Sequence, residues 1–204
     1  GTSGIGAAIA RSIIDEGGRV LVHGINRSEG EVLVQSLGSN AVLCISDLAD
    51  EAAPQVIVNA ALAAFGKIDG LVNNAAIIER SNLKAIDPKG FESTLLAYSM
   101  SKGALQTMTR NLANALGVTG VRINLINPGW ILTEREDRDQ VARGLEVGWH
   151  QNLDRNSIPL GKMSTPENLA HAAIYWLSDE SYPFTGSVVE LEQFSIIGRN
   201  PEKL

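Results

Sequence analysis

Continuous apolar runs alternate with helix-spaced apolar positions along this chain, the pattern of a parallel sheet covered by helices on both faces. A helix predicted over 5–16 stops at Gly17-Gly18, a natural C-terminal punctuation. The run Arg19-Val20-Leu21-Val22-His23 reads as a buried strand, and 28–37 as a helix closed by Gly38. A second strand over 41–45, a helix over 52–65 and a third strand over 68–73 follow in the same rhythm. Beyond them the pattern predicts a long helix over 97–116 ended by Gly117, then a strand over 121–126. The mixed-charge stretch 134–156 reads as helix and loop, with Glu134 to Asp139 as a solvated face. Thr165-Pro166-Glu167 supplies an N-cap, a first-turn proline and a first-turn acid. The helix so opened sets Leu169, Ala172, Ala173, Trp176 and Leu177 on one face, with Trp176 expected in the core, and 187–191 is the last strand. No repeat, linker or low-complexity tract interrupts the series, so residues 1–204 are expected to form one α/β domain.

Composition narrows the function classes. Seventeen Lys and Arg against 23 Asp and Glu give a formal charge of -6, without a basic run of the kind nucleic acid requires. No apolar stretch approaches the roughly 20 residues of a membrane span. A single cysteine, Cys44, cannot form an internal disulfide and fits a reducing, cytoplasmic compartment. His23, His150 and His171 are dispersed, with no metal-ligand spacing, so no metal site is expected. His23 is expected as a satisfied core or crevice residue.

Four segments carry candidate chemistry. Gly1-Thr2-Ser3-Gly4-Ile5-Gly6 opens the first helix. Glycines there let the backbone turn sharply beneath a pyrophosphate, whose charge rests on the helix N-terminal N–H groups. A plain glycine-rich turn would look the same. The strand over 19–23 exits through His23-Gly24-Ile25-Asn26-Arg27 without the acid that commonly holds ribose hydroxyls. Arg27 could pair with a 2′-phosphate instead, favouring NADP(H) over NAD(H), or be an ordinary surface residue. Asp47-Leu48 lies where strand ends line a ligand crevice. Asp47 could accept from an adenine amino group or simply cap the next helix. Tyr98 and Lys102 stand four residues apart on one helix face. A neighbouring cation favours a phenolate, which would make such a tyrosine a usable general acid and base.

Leu71-Val72-Asn73-Asn74-Ala75-Ala76 ends a strand in two amides and two small residues, and Asn127-Pro128-Gly129 leaves another through a turn. In this order and spacing the segments resemble the short-chain dehydrogenase/reductase family, from Gly1 to about Val189. The most specific parts are Asn73-Asn74-Ala75-Ala76, the Tyr98–Lys102 pair, and Pro128-Gly129 with Thr133 following. The resemblance implies a Rossmann-like, doubly wound sheet and a hydride transfer between NAD(P) and a carbonyl or secondary alcohol. It implies Tyr98 as acid/base, with Lys102 activating it and binding the nicotinamide ribose. Thr2, Ser3, Gly4, Ile5 and Gly6 would hold the pyrophosphate, and Asp47 with Leu48 the adenine. Asn74, Ala75 and Ala76 would line the adenosine side; Pro128, Gly129, Ile131 and Thr133 would face the nicotinamide. Residues 130–163, with Trp130 and His150, would be the substrate lid, and a homodimer or homotetramer is implied.

Three departures from the family pattern stand out. No strand precedes the glycine loop in this sequence, and the last strand runs Val189-Glu190-Leu191-Glu192-Gln193-Phe194 instead of ending in Asp-Gly-Gly. Between Leu96 and Ala97 there is no room for the helix and strand that carry the family's catalytic Ser and Asn, so neither role is assigned; Ser93, Ser99 and Ser101 do not match by position. Either the full protein has residues there that this sequence omits, or the chain is truly short. The first is favoured, because a sheet without those strands would expose long unpaired edges. The alternative function is a non-catalytic dinucleotide-binding module or a degenerate member of the family.

Overall fold

The computed structural model describes residues 1–76, 95–155 and 158–193. They fall into two compact units, the first comprising 1–75, 128–155, 158–178 and 191–193, the second 76, 95–127 and 179–190.

In the first unit the order is α1 (Gly4–Asp15), β1 (Val20–Gly24), α2 (Arg27–Leu37), β2 (Ala41–Ile45) and α3 (Ala53–Phe65). β1 and β2 pair in parallel, with Val20 opposite Ala41 and Gly24 opposite Ile45. Each helix ends where the sequence predicts. Gly38 and Gly66 close α2 and α3 at positive φ, which a side chain rarely adopts. Asn26 caps α2 by accepting from the Glu29 N–H. Ala10, Val22 and Leu33 form the core between sheet and helices, with Leu37 and Leu43 packed against it. α1 also packs on α6 (Pro166–Leu177). Alanines on both helices permit the close approach, Ala8 and Ala10 on one and Ala170 and Ala173 on the other, and Ile9 and Leu169 are buried beside them. Ala170, off the expected apolar face, is fully buried, whereas Trp176 is only half-buried rather than in the core.

The segment 68–73 is not a strand among the described residues. Its apolar side chains Leu71 and Val72 are exposed, and no β1 or β2 edge pairs with it. A strand exists only through its ladder partners. Between this segment, β1 and α1 runs an apolar groove of about 590 Å³, bordered by Ile9, Ile13, Val20, Val22, Ile57 and Leu71.

The second unit holds α4 (Leu95–Leu116) and the short parallel pair β3 (Leu125–Asn127) and β4 (Val188–Glu190). The strand predicted over 121–126 shortens because Ile123 and Asn124 bond to a turn instead of a ladder. Ile123 N–H donates to Thr185 Oγ1 at 3.0 Å and Asn124 Oδ1 accepts from the Ser187 N–H at 3.0 Å. Thr109 and Ala113 are the buried positions of α4 among its described side chains, and Arg122 donates to the fully buried Ser181.

Between α5 (Glu134–Ala142) and α6, a 3-10 turn over Trp149–Gln151 seats Trp149 in a second cluster with Ile158 and Met163. No described helix is long and apolar enough to cross a membrane.

Candidate active site

The glycine loop is shaped by what stands around it. Gly4 opens α1 at φ +54°, and a Cβ there would sit 3.5 Å from Thr133 Cγ2. At Gly6 a Cβ would come within 2.7 Å of Gly1 Cα and 2.8 Å of Asn74 Nδ2, a space no side chain can take. Thr2 packs its methyl towards Gly24 and Gly30, and its hydroxyl donates to Glu29 at 3.3 Å. Ser3 precedes α1 in extended conformation with no side-chain cap. The N–H groups of the first turn, at Gly4, Ile5 and Gly6, therefore have no intrahelical acceptor. A bare, glycine-lined helix N-terminus is the donor set a pyrophosphate fits. Asn74 and Thr133, far apart in sequence, both reach this loop.

Around it the other predicted residues distribute unevenly. Arg27 is exposed and pairs with Glu31 at 3.6 Å across one helical turn. Asp47 Oδ1 accepts from the Ala49 N–H at 2.9 Å, closing a turn rather than capping α3, and Asp47 and Leu48 are exposed. His23 Nε2 lies 2.9 Å from Ser46 O and 3.0 Å from Ser46 Oγ, as a satisfied crevice residue would. Asn74 is half-buried, whereas Ala75 and Ala76 are exposed. Pro128 and Gly129 are half-buried. Gly129, at φ +72°, presses against Glu192, where a Cβ would meet Cγ at 2.5 Å. Ile131 is buried at 6% exposure and its backbone bridges to Ser164. Thr133 Oγ1 caps α5 by accepting from the Glu136 N–H at 3.1 Å.

Tyr98 and Lys102 meet on α4: the ammonium nitrogen lies 5.4 Å from the centre of the phenol ring. Both side chains are half-buried. Ser101 Oγ donates to the Tyr98 carbonyl at 2.7 Å, so this hydroxyl is engaged locally. Ser93 lies outside the described residues.

The segment 130–163 corrects one expectation. Glu136 and Asp137, read from the sequence as part of a solvated charged face, are half-buried and accept from indoles: Trp130 Nε1 to Glu136 at 2.8 Å, Trp149 Nε1 to Asp137 at 2.9 Å. A buried indole N–H needs an acceptor. That need, with two tryptophans flanking an acidic run, was the available signal. At the start of α6, hydrogen bonding from Thr165 holds the Glu167 carboxyl below the usual carboxylate range.

Parallel strands, crossover helices and a glycine-lined helix N-terminus define a Rossmann-type dinucleotide-binding architecture. The short chain dehydrogenase family model matches residues 1–97, and the related enoyl-(acyl carrier protein) reductase model matches 89–192. The chain belongs to the short-chain dehydrogenase/reductase family and is an oxidoreductase of that class. It is 29% identical to an NADP-dependent (R)-specific alcohol dehydrogenase of Lentilactobacillus kefiri, over 92% of this chain and 90% of that one. It is 30% identical, with the same coverages, to a 2,5-dichloro-2,5-cyclohexadiene-1,4-diol dehydrogenase of Sphingobium indicum. Among solved structures, L-sorbose reductase from Gluconobacter frateurii superposes with a TM-score of 0.82 at 21% identity, covering 94% of this chain and 92% of that chain.

Proposed function

We propose that this protein transfers a hydride between a nicotinamide cofactor and a carbonyl or secondary alcohol, with Tyr98 as general acid and base and Lys102 as its partner. The observation that carries this reading is the Tyr98–Lys102 pair on α4, with the ammonium 5.4 Å from the ring centre. The bound nicotinamide supplies or accepts the hydride. In reduction the Tyr98 hydroxyl gives its proton to the carbonyl oxygen, and in oxidation the phenolate takes it back from the alcohol. Lys102 stabilises the negative charge left on the phenol oxygen and hydrogen-bonds the nicotinamide ribose.

The first-turn N–H groups of α1, with Thr2 and Ser3 beside them, hold the pyrophosphate. Asn74, Ala75 and Ala76 line the adenosine side, and Asp47 with Leu48 borders the adenine. Pro128, Gly129, Thr133 and the Ile131 backbone face the nicotinamide. Arg27 pairs with a 2′-phosphate, so NADP(H) is the preferred cofactor; the NADP-dependent alcohol dehydrogenase relative supports that choice. The substrate is a small ketone or its alcohol, in keeping with the alcohol and cyclic diol dehydrogenases among the relatives. The working form is a homo-oligomer.

We further propose that the full protein carries residues between Leu96 and Ala97. The two family models meet at 89–97. The alignment with the alcohol dehydrogenase runs over 233 positions but takes in 92% of 204 residues, about 188, leaving about 45 positions without a counterpart here. A crossover helix and strand need on the order of 30 or more residues, so they fit that gap. The test of function is NADPH titration followed by turnover of a ketone panel. Binding with turnover is expected; binding without turnover is the result a non-catalytic dinucleotide-binding module would give.

A further inference from the structure

The chain beyond β4 lays one unpaired carboxylate against a glycine. Gly129 has φ +72°, and a Cβ there would meet Glu192 Cγ at 2.5 Å and Cδ at 3.2 Å. Glu192 thus fills the space that the missing side chain leaves. The next residue fixes its backbone, because Gln193 clasps a neighbouring loop twice. Gln193 Oε1 accepts from the Leu160 N–H at 2.9 Å, and its Nε2 donates to the Lys162 carbonyl. Glu192 itself is exposed, and its carboxylate has no hydrogen bond or ion pair among the described residues. Gly129, Glu192 and the glycine loop all belong to the first unit.

We propose that Glu192 selects the redox form of the cofactor, its carboxylate favouring the positively charged oxidised nicotinamide over the neutral reduced ring. This rests on the dinucleotide reading above, in which Gly129 faces the nicotinamide. Two observations place the charge there. Gly129 and Glu192 follow the carboxyl ends of the parallel strands β3 and β4, the side on which open α/β sheets bind ligands. A little further along the same segment, Thr133 stands beside Gly4 of the glycine loop. Adding a hydride to NADP+ cancels the positive charge of the ring. The phosphates are common to both forms, and so is their repulsion from Glu192. Attraction between carboxylate and ring cation acts on the oxidised form alone. No cation of the protein pairs with Glu192 to offset it. A cofactor held in this way gives up its hydride more readily, so carbonyl reduction is the favoured direction on the protein.

Calorimetric titration of the wild type, Glu192→Gln and Glu192→Lys with NADP+ and with NADPH tests this without turnover. The ratio of dissociation constants, Kd for NADPH over Kd for NADP+, is expected to fall about three- to fivefold in Glu192→Gln at low salt, the size of an exposed charge interaction. It is expected to fall further in Glu192→Lys, and the gap between wild type and Glu192→Gln to shrink at about 0.5 M salt. A side chain that merely packs on Gly129 would shift both forms together. Saturable binding of both forms with the wild-type ratio in both variants overturns the proposal and leaves the dinucleotide reading standing. Failure of the wild type to bind either form overturns that reading and the proposal with it.

Discussion

Asn74 stands directly against Gly6: a methyl group added at position 6 would lie 2.8 Å from Asn74 Nδ2 and 2.7 Å from Gly1 Cα. Two segments far apart in sequence thereby fix the width of the glycine loop. Gly6→Ala must push one of them aside, at a cost of roughly 1–3 kcal/mol for an overpacked site. NADPH affinity is expected to fall at least about tenfold. Fluorescence titration of NADPH checks this, and wild-type affinity in Gly6→Ala would show that the loop has slack the close approach denies.

Arg27 is free to turn from Glu31 towards a phosphate, because an exposed i,i+4 ion pair is worth only about 0.3–0.5 kcal/mol. A charge-assisted bond to a 2′-phosphate is stronger. Arg27→Ala is therefore expected to weaken NADPH binding about tenfold while leaving NADH nearly unchanged. Parallel titrations of the two cofactors measure the ratio; an equal loss for both would remove Arg27 from cofactor selection.

Glu167 titrates below the ordinary carboxylate range because of its hydrogen bonding from Thr165. A depressed folded-state pKa adds stability above the unfolded value, and that stability disappears as pH falls through the folded value. The site is exposed, so the contribution is no more than about 1 kcal/mol. Thr165→Val should thus lower Tm by about 2–4 °C at pH 7 and by less at pH 3. Thermal melts at the two pH values check the sign, and a larger loss at pH 3 would contradict it.

The proposal that the full protein carries residues between Leu96 and Ala97 has a direct consequence for mass. Protein expressed from the natural gene is expected to exceed 21.8 kDa clearly in intact mass spectrometry, with the additional residues mapping between these two positions. A mass of 21.8 kDa would make the short middle a real property of the protein.

Much of the first unit was legible in the sequence because its signals are local. Gly17 and Gly38 follow the first two helices, and apolar runs of five residues mark the two strands after them. The Tyr98–Lys102 pair was legible for the same reason, since four residues make one helical turn. The segment 68–73 misled because its apolar pattern announces a buried strand, while burial and pairing depend on neighbours its own residues do not encode. Strand 121–126 shortened through the side chains of Thr185 and Asn124, some sixty residues apart. The contacts of Thr133 with Gly4 and of Asn74 with Gly6 are likewise long-range. Glu136 and Asp137 looked solvated because an alternating charge run usually is, and only the fold brings the two indoles to them.

The central claim is that Tyr98 moves the proton while the cofactor moves the hydride. Its most direct test is Tyr98→Phe, with NADPH-dependent ketone reduction and NADPH affinity measured on the same preparation. The account predicts a loss of kcat of roughly 10²–10⁴-fold or more, with NADPH affinity close to wild type. Turnover at the wild-type rate in Tyr98→Phe would contradict it.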